Sequence, residues 1–241
     1  MRPESLSGQY TDLKRRYGNT YGQSWDSAKS IEYRPPQLGG ILSHSLRKAE
    51  GNSMQTIKLT DGGILLYKEA FIPHDMADRY FAELRDHSAW EQKPGIFGYL
   101  QPRLIAAYGE PGLVYRYSGR DNVALPWTPT LLEIKQKIES IEGQYNYCLL
   151  NRYSSGQDSM GLHADDEPEV GHIIGSLSLG ATRTFRIKHN ESKETMNFPV
   201  GHGTLIIMAG TMQQFWKHEI PKTKRPVGER INLTYRQIIR E

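Results

Sequence analysis

From Tyr145 to its last residues the chain is a succession of short extended segments. They fall at 145–153, 173–179, 183–189, 196–199, 204–208, 216–220 and 230–239, with Gly, Pro or Asn in many of the intervals. Strands at such close intervals, separated by turn-forming residues, argue a sandwich or barrel, and no other feature restricts the fold as much. The last segment is the most regular. Arg230, Asn232, Thr234 and Arg236 alternate with Ile231, Leu233 and Tyr235, and that period of two defines a strand with one polar and one apolar face. A solvated polar face, common in antiparallel sheets, is one reading; a polar face lining a cavity is the other. The run from Tyr145 to Tyr153 also alternates and puts Asn151 and Tyr153 on one face, an amide and a phenol that can donate hydrogen bonds.

Upstream of this region two helices are expected. Pro73-His-Asp75 opens the first, which runs to about His87 with Met76, Tyr80, Phe81 and Leu84 on one face. The second has Thr128 as its cap, Pro129 at the first helical position, and Leu131, Ile134, Ile138 and Ile141 at three- and four-residue steps before Gly143. Two short strands are expected at Thr56–Leu59 and Gly63–Tyr67. Residues 1–53 show no sustained period and are expected to be a flexible polar tail, leaving 54–241 as one domain. That tail holds eight Lys/Arg against five Asp/Glu, whereas the remainder holds 22 of each. The net charge of +3 therefore does not argue for a basic domain, although Lys217, Lys222, Lys224 and Arg225 form a local basic cluster, either a solvated loop or a phosphate contact. The single cysteine, Cys148, excludes an internal disulfide framework and a cysteine-based zinc cluster. No apolar run reaches the roughly 18 residues of a membrane span, and no apolar leader opens the chain. An intracellular protein is expected, nuclear in a eukaryote and cytoplasmic otherwise, and a monomer.

The residues that carry chemistry are His163, Asp165 and His218. In extended backbone, positions two apart point the same way, so His163 and Asp165 would converge, with His218 supplied by another strand. Two imidazoles and one carboxylate suit one face of a ferrous ion with open positions opposite. An H-x-D triplet alone is a weak signal. The Arg230–Arg236 face strengthens it, since a planar guanidinium matches the two oxygens of a dicarboxylate co-substrate such as 2-oxoglutarate. The strand is too long for both arginines to grip the same atoms. One would take the distal carboxylate and the other would sit near the iron or its ligands; spacing does not say which. A structural zinc site fits two histidines and a carboxylate but gives no use for that polar face. His172, His189 and His202 lack a spacing that joins them to the triad.

Together these residues resemble a known family. Asn151-Arg-Tyr153, His163-x-Asp165-Asp-Glu167, Ser176-Leu-Ser-Leu-Gly180, His202-Gly-Thr-Leu, His218-x-x-Pro221 and Arg230-x-Asn-x-Thr-x-Arg236 agree in order and spacing with the AlkB family, whose members remove alkyl groups from nucleic-acid bases by oxidation. The branch of the eukaryotic AlkB homologues two and three is the most similar, and the likeness covers about residues 60–241. The resemblance implies a mainly β, α+β protein: a double-stranded β-helix (jelly roll) with supporting N-terminal helices and a nucleotide-recognition lid over about 94–119. It implies Fe(2+) on His163, Asp165 and His218, and 2-oxoglutarate on Asn151, Tyr153, Arg230, Thr234 and Arg236, with Asn232 beside them. It implies O2 as oxidant, and succinate, carbon dioxide and formaldehyde as products. For the substrate it implies nucleic acid carrying 1-methyladenine or 3-methylcytosine, DNA first. Asp166 would face the cationic base, Tyr115 and Tyr117 would be the lid aromatics, and Pro102-Arg103 would belong to the same lid. Phe97 would fill the gap left by a flipped base, on a segment to Arg103 that is shorter than in those relatives. Two rival readings are an oxygenase of the same cofactor class acting on RNA, protein or a small molecule, and a nucleic-acid-binding module with a vestigial pocket.

Overall fold

A computed structural model describes residues 53–239 apart from 95–97, 99 and 118–119, together with the backbone of Ser30 and Ile31. The strands are β1 (Ser30–Ile31), β2 (Gln55–Lys58), β3 (Gly63–Lys68), β4 (Leu104–Gly109), β5 (Val114–Tyr117), β6 (Arg120–Val123), β7 (Leu125–Pro126), β8 (Tyr147–Tyr153), β9 (Met160–His163), β10 (Ile174–Gly180), β11 (Arg183–His189), β12 (Thr195–Val200), β13 (Thr204–Gly210), β14 (Trp216–Ile220) and β15 (Arg230–Arg236). The helices are α1 (His74–His87), α2 (Pro129–Glu139) and the short α3 (Met212–Phe215). Nine strands form a major sheet in the order β1-β2-β3-β13-β10-β15-β8-β4-β7; a minor sheet runs β12-β11-β14-β9, and β5-β6 is a separate ribbon. The two larger sheets face each other as a double-stranded β-helix, the architecture expected from the strand pattern.

Two apolar layers flank the major sheet. Behind it, Leu150, Leu177, Ile231, Leu233 and Tyr235 pack with Tyr80 and Leu84 of α1 and Leu131, Ile134 and Ile138 of α2. Between the sheets, Leu65, Tyr147, Leu149 and Tyr153 meet Phe185, Ile187, Trp216 and Ile220. The period-two pattern of β8 and β15 is thus divided between two buried environments. Helix α2 begins as its cap predicts: Thr128 accepts the Leu131 N–H at 3.2 Å, and Pro129 is the first helical residue. It ends at Glu139, so Ile141 lies beyond it and is 36% exposed. Tyr235 anchors it from the sheet, its hydroxyl donating to the Leu131 carbonyl at 2.9 Å. Gly180 ends β10 at φ +84°, and a Cβ there would meet the Glu229 carbonyl oxygen at 2.4 Å, so only glycine fits this turn.

Several boundaries differ from the expectation. Strands β4 to β7 and β9 were not expected: each is six residues or fewer, β4 and β9 pair with strands distant in sequence, and β5 and β6 pair only with each other. The tail is not uniformly without structure: Ser30 and Ile31 pair in parallel with Thr56 and Ile57 at the sheet edge. No helix among the described residues is long and apolar enough to cross a membrane.

Candidate active site

The two candidate histidines are direct neighbours. His163 at the end of β9 lies opposite His218 on β14, with ring centroids 4.3 Å apart. Asp165 follows two residues later, in a loop and not on the strand. Its backbone N–H donates to Gln213 Oε1 of α3 at 3.0 Å, which holds the loop in place. Strand pairing therefore stops at His163, and a side chain from α3 holds the Asp165 backbone beyond it. One ligand atom from each of His163, Asp165 and His218 lies within 4.8 Å of the others.

Proton positions suit a cation. His163 Nδ1 lies 2.7 Å from the Gly161 carbonyl, which places its proton there and leaves the Nε2 lone pair free of one. Burial pushes the His218 pKa down to about 3, and His163 beside it adds to the effect. Burial also lowers His163. Burial alone would raise Asp165, but Arg236 and the two histidines hold it down, to about 2. All three groups thus sit in the forms that bind metal, neutral imidazole and carboxylate. Asp165 Oδ2 and His218 Nδ1 are buried with no hydrogen-bond partner among the described residues, and a cation would satisfy the carboxylate oxygen.

The polar face of β15 is enclosed, since all seven of its residues are buried. It is a central strand between β10 and β8, with Asn232 opposite both Ser178 and Asn151, and Arg230 opposite Tyr153. The two arginines have separate work. Arg236 Nη2 donates to Asp165 Oδ1 at 2.8 Å, and the carboxylate raises the guanidinium pKa against the opposing effect of burial. Arg230 is 1% exposed, and no ion pair to it is seen among the described residues. Its Nη2 donates to Ser178 Oγ at 2.8 Å and Asn232 Oδ1 at 2.6 Å, while Nε and Nη1 have no hydrogen-bond partner among the described residues. Burial lowers its pKa to about 10, with the nearby Tyr153 phenol opposing the shift. A guanidinium buried in this way is costly unless an anion completes it, and its unpaired Nε and Nη1 donors remain to receive one.

The other expected residues fall as follows. Asn151 accepts from Arg103 Nε at 2.7 Å, so Arg103, 8% exposed, lies in the wall of the site. Tyr153 has the Arg230 guanidinium 5.1 Å from its ring centroid. Thr234 accepts from Asn232 Nδ2 at 3.3 Å. Asp166 is exposed beside the triad. Tyr115 needs correction as a stacking residue. It is 0% exposed, its hydroxyl donates to Glu167 Oε2 at 3.0 Å, and Arg236 lies 5.0 Å from its ring centroid. Enclosed in this way it has no face open to a base, and it braces the arginine that holds Asp165. Tyr117 lies on β5, and its side chain falls outside the described residues, as does Phe97.

Ser176, Ser178, Gln213 and Glu167 also build the site. The two serines share the alternation of β10 and could have been paired with β15 only once the register was known. Gln213 carries no sequence signal. A second group, His74, Asp78 and His202, also brings its ligand atoms within 4.8 Å. There His202 Nδ1 accepts the Gly180 N–H at 2.8 Å, so its proton sits on Nε2, 3.3 Å from Asp78 Oδ1. A ring nitrogen that carries its proton is a poor metal ligand, and Asp78 Oδ2 is hydrogen-bonded instead to His74 Nδ1 at 3.1 Å. His189 is likewise engaged, with Asp61 at 2.9 Å and the Ser192 N–H at 3.1 Å.

A jelly roll with two imidazoles, one carboxylate and an anion-seeking arginine between its sheets defines an iron- and 2-oxoglutarate-dependent oxygenase. Comparison with known proteins gives the same class: the 2OG-Fe(II) oxygenase superfamily matches residues 65–236. The chain is 32% identical to alpha-ketoglutarate-dependent dioxygenase alkB homolog 3 of Homo sapiens, over 99% of this chain and 91% of that protein. It is 33% identical to the DNA oxidative demethylase ALKBH2 of Bos taurus, over 83% of this chain and 80% of that protein. A solved structure of OsALKBH1, at 18% identity, covers 76% of this chain and 99% of its own with a TM-score of 0.53, a likeness of fold alone. The chain belongs to the AlkB family of Fe(II)/2-oxoglutarate dioxygenases, in the branch of homologues 2 and 3. Its cofactor chemistry is that of the family: Fe(2+), 2-oxoglutarate and O2.

Proposed function

We propose that this enzyme oxidatively demethylates N-alkylated bases in nucleic acid, DNA first, reversing alkylation damage at 1-methyladenine and 3-methylcytosine. The names of its relatives, a DNA oxidative demethylase among them, support the substrate. The observation that carries the reading of the site is the buried Arg230 guanidinium with Nε and Nη1 unpaired among the described residues, on the same face of β15 as Arg236, which bonds Asp165 of the cluster.

In this reading His163 through Nε2, Asp165 and His218 hold Fe(2+). Arg230 takes the distal carboxylate of 2-oxoglutarate, with Tyr153 and Asn232 alongside and Asn151 and Thr234 completing the wall. Fe(2+), when bound there, would use O2 as oxidant and 2-oxoglutarate as co-reductant, which leaves as succinate and carbon dioxide, to hydroxylate an N-methyl group. The residues of the chain then do three things. Arg236 fixes the orientation of Asp165 and keeps it ionised. The buried surroundings of Asp165, His218 and Arg230 limit bulk water at the inner side of the site. Asp166, exposed beside the triad, meets the positive charge of a methylated base, an attraction that a repaired neutral base does not share. The carbinolamine left on the base breaks down to formaldehyde and the parent base. Lys217, Lys222, Lys224 and Arg225, all exposed around His218, run along the phosphate backbone. The enzyme acts as a monomer in the compartment that holds its nucleic acid, the nucleus in a eukaryotic cell.

Formaldehyde and succinate release tests this directly, with Fe(II), 2-oxoglutarate and ascorbate on oligonucleotides carrying either lesion, as DNA and RNA, single- and double-stranded. Formaldehyde that depends on lesion and cofactor is the expected result. Succinate without lesion-dependent formaldehyde would move the substrate to protein or a small molecule. In the Asp166→Ala variant, demethylation should fall more than uncoupled succinate formation; an equal fall in both would remove Asp166 from the substrate.

A further inference from the structure

Arg183 opens β11 and is 4% exposed. Its guanidinium is given over to main-chain carbonyls: Nη1 donates to Ser155 O at 3.1 Å, and Nη2 to Asp158 O at 2.9 Å and Pro221 O at 2.7 Å. These acceptors lie on two chain segments. Residues 155–158 follow Tyr153 as β8 ends, and Pro221 stands three residues after His218 as β14 ends. The two segments also touch directly, with the Thr223 N–H donating to Gly156 O at 2.8 Å and Gln157 Nε2 to Thr223 O at 3.1 Å. The same Arg183 guanidinium lies 5.8 Å from the Tyr153 ring centroid, and Arg230 lies 5.1 Å from it. Tyr153 is thus flanked by two buried cations, one facing the active site and one fastening the strand ends.

We propose that Arg183 is a positioning residue for 2-oxoglutarate: by tying the end of β8 to the end of β14 it sets Tyr153 against the Arg230 subsite and in register with His218. This rests on the reading that Arg230 and Tyr153 bind the co-substrate. A planar guanidinium can serve three carbonyls on two segments at once, whereas a lysine ammonium is a single point on a flexible stem and cannot brace them as a unit. The consequence falls on one ligand. Small displacements of a group that orients a bound anion are costly, whereas the exposed Lys222, Lys224 and Arg225 on the tied segment reach phosphate through long side chains that absorb a small shift.

The experiment measures 2-oxoglutarate binding by calorimetry on the anaerobic, Mn(II)-loaded full chain, with KM values for 2-oxoglutarate and for a lesion oligonucleotide measured on the iron enzyme. For Arg183→Lys the expected result is a rise of about tenfold or more in the 2-oxoglutarate Kd and KM, with the oligonucleotide KM within about twofold of the parent. A 2-oxoglutarate Kd within about twofold of the parent, or equal rises in both KM values, overturns the proposal. If Arg183→Lys does not melt cooperatively, Gly156→Ala decides. A Cβ there would lie 2.6 Å from Thr223 O and 2.8 Å from Thr223 Cγ2, which forces the two segments apart without touching Arg183. The same selective loss is expected, and an unchanged 2-oxoglutarate affinity overturns the proposal. Arg230→Met is the control for the underlying reading. If it leaves 2-oxoglutarate affinity intact, the subsite is wrong. If it abolishes binding while Arg183→Lys and Gly156→Ala do not weaken it, the positioning role alone is wrong.

Discussion

At the scale of single residues the site is a set of charges placed where they cost stability until a ligand arrives. Arg230 has the clearest consequence. Replacing a buried, incompletely paired cation by an apolar side chain of similar size is often neutral or stabilising. Arg230→Met should therefore leave the melting temperature of the ligand-free protein unchanged or raised, while the stabilisation conferred by added 2-oxoglutarate disappears; a thermal-shift titration reads both. Asp165→Ala should abolish turnover and weaken iron binding, checked by metal content and succinate release; full activity would remove the triad assignment. The histidines give a pH dependence. Unfolded imidazole takes its proton near 6.5, but buried His218 not until about 3, so the unfolded state binds more protons in between. The metal-free enzyme should lose stability as pH falls through that window, with a limiting slope of about 1.4 kcal/mol per pH unit. Asp165, held near 2 against an ordinary 3.8, adds a further loss as pH falls between those values. Melting curves across this range should flatten in His218→Leu; an identical slope would mean His218 is not buried neutral.

At the scale of elements, what could be read from the chain was what repeats locally. The period of two in β8 and β15, the Thr128 cap and the three- and four-residue steps of α2 depend on neighbours in sequence, and they appear where expected except that Ile141 lies beyond the helix. Thr128→Ala should remove only the capping bond, lowering stability by about 1 kcal/mol with both KM values unchanged, as denaturation and steady-state kinetics would register. Strands β4 to β7 and β9 were not legible, because four residues such as Met160–His163 have no period to display and become a strand only against Trp216–Ile220. The loop between β14 and β15 carries exposed Lys224 and Arg225 on no regular element. Reversing both to Glu should raise the oligonucleotide KM and make its salt dependence shallower, without moving the KM for 2-oxoglutarate. An unchanged salt slope would return this cluster to a solvated loop.

At the scale of the whole molecule, two sheets enclose a polar layer that neither would shelter alone. The described domain is balanced in charge, and the excess of +3 belongs to residues 1–53, which also supply the edge strand β1. A chain beginning at Met54 should keep its 2-oxoglutarate KM and show a weaker salt dependence of oligonucleotide binding, measured by titration at several ionic strengths; a changed 2-oxoglutarate KM would tie the tail to the site. The amino-acid sequence by itself determined the strand-rich class, the ligand types and their order, because alternation, capping and the chemistry of His, Asp and Arg are properties of residues and near neighbours. Only the tertiary structure decided that the polar face of β15 is enclosed and not solvated, that Arg236 pairs with Asp165 while Arg230 keeps unpaired donors among the described residues, and that Tyr115 is fully buried. Each of those depends on which strands lie beside β15 and what closes over them, and pairings between residues far apart in sequence leave no local trace.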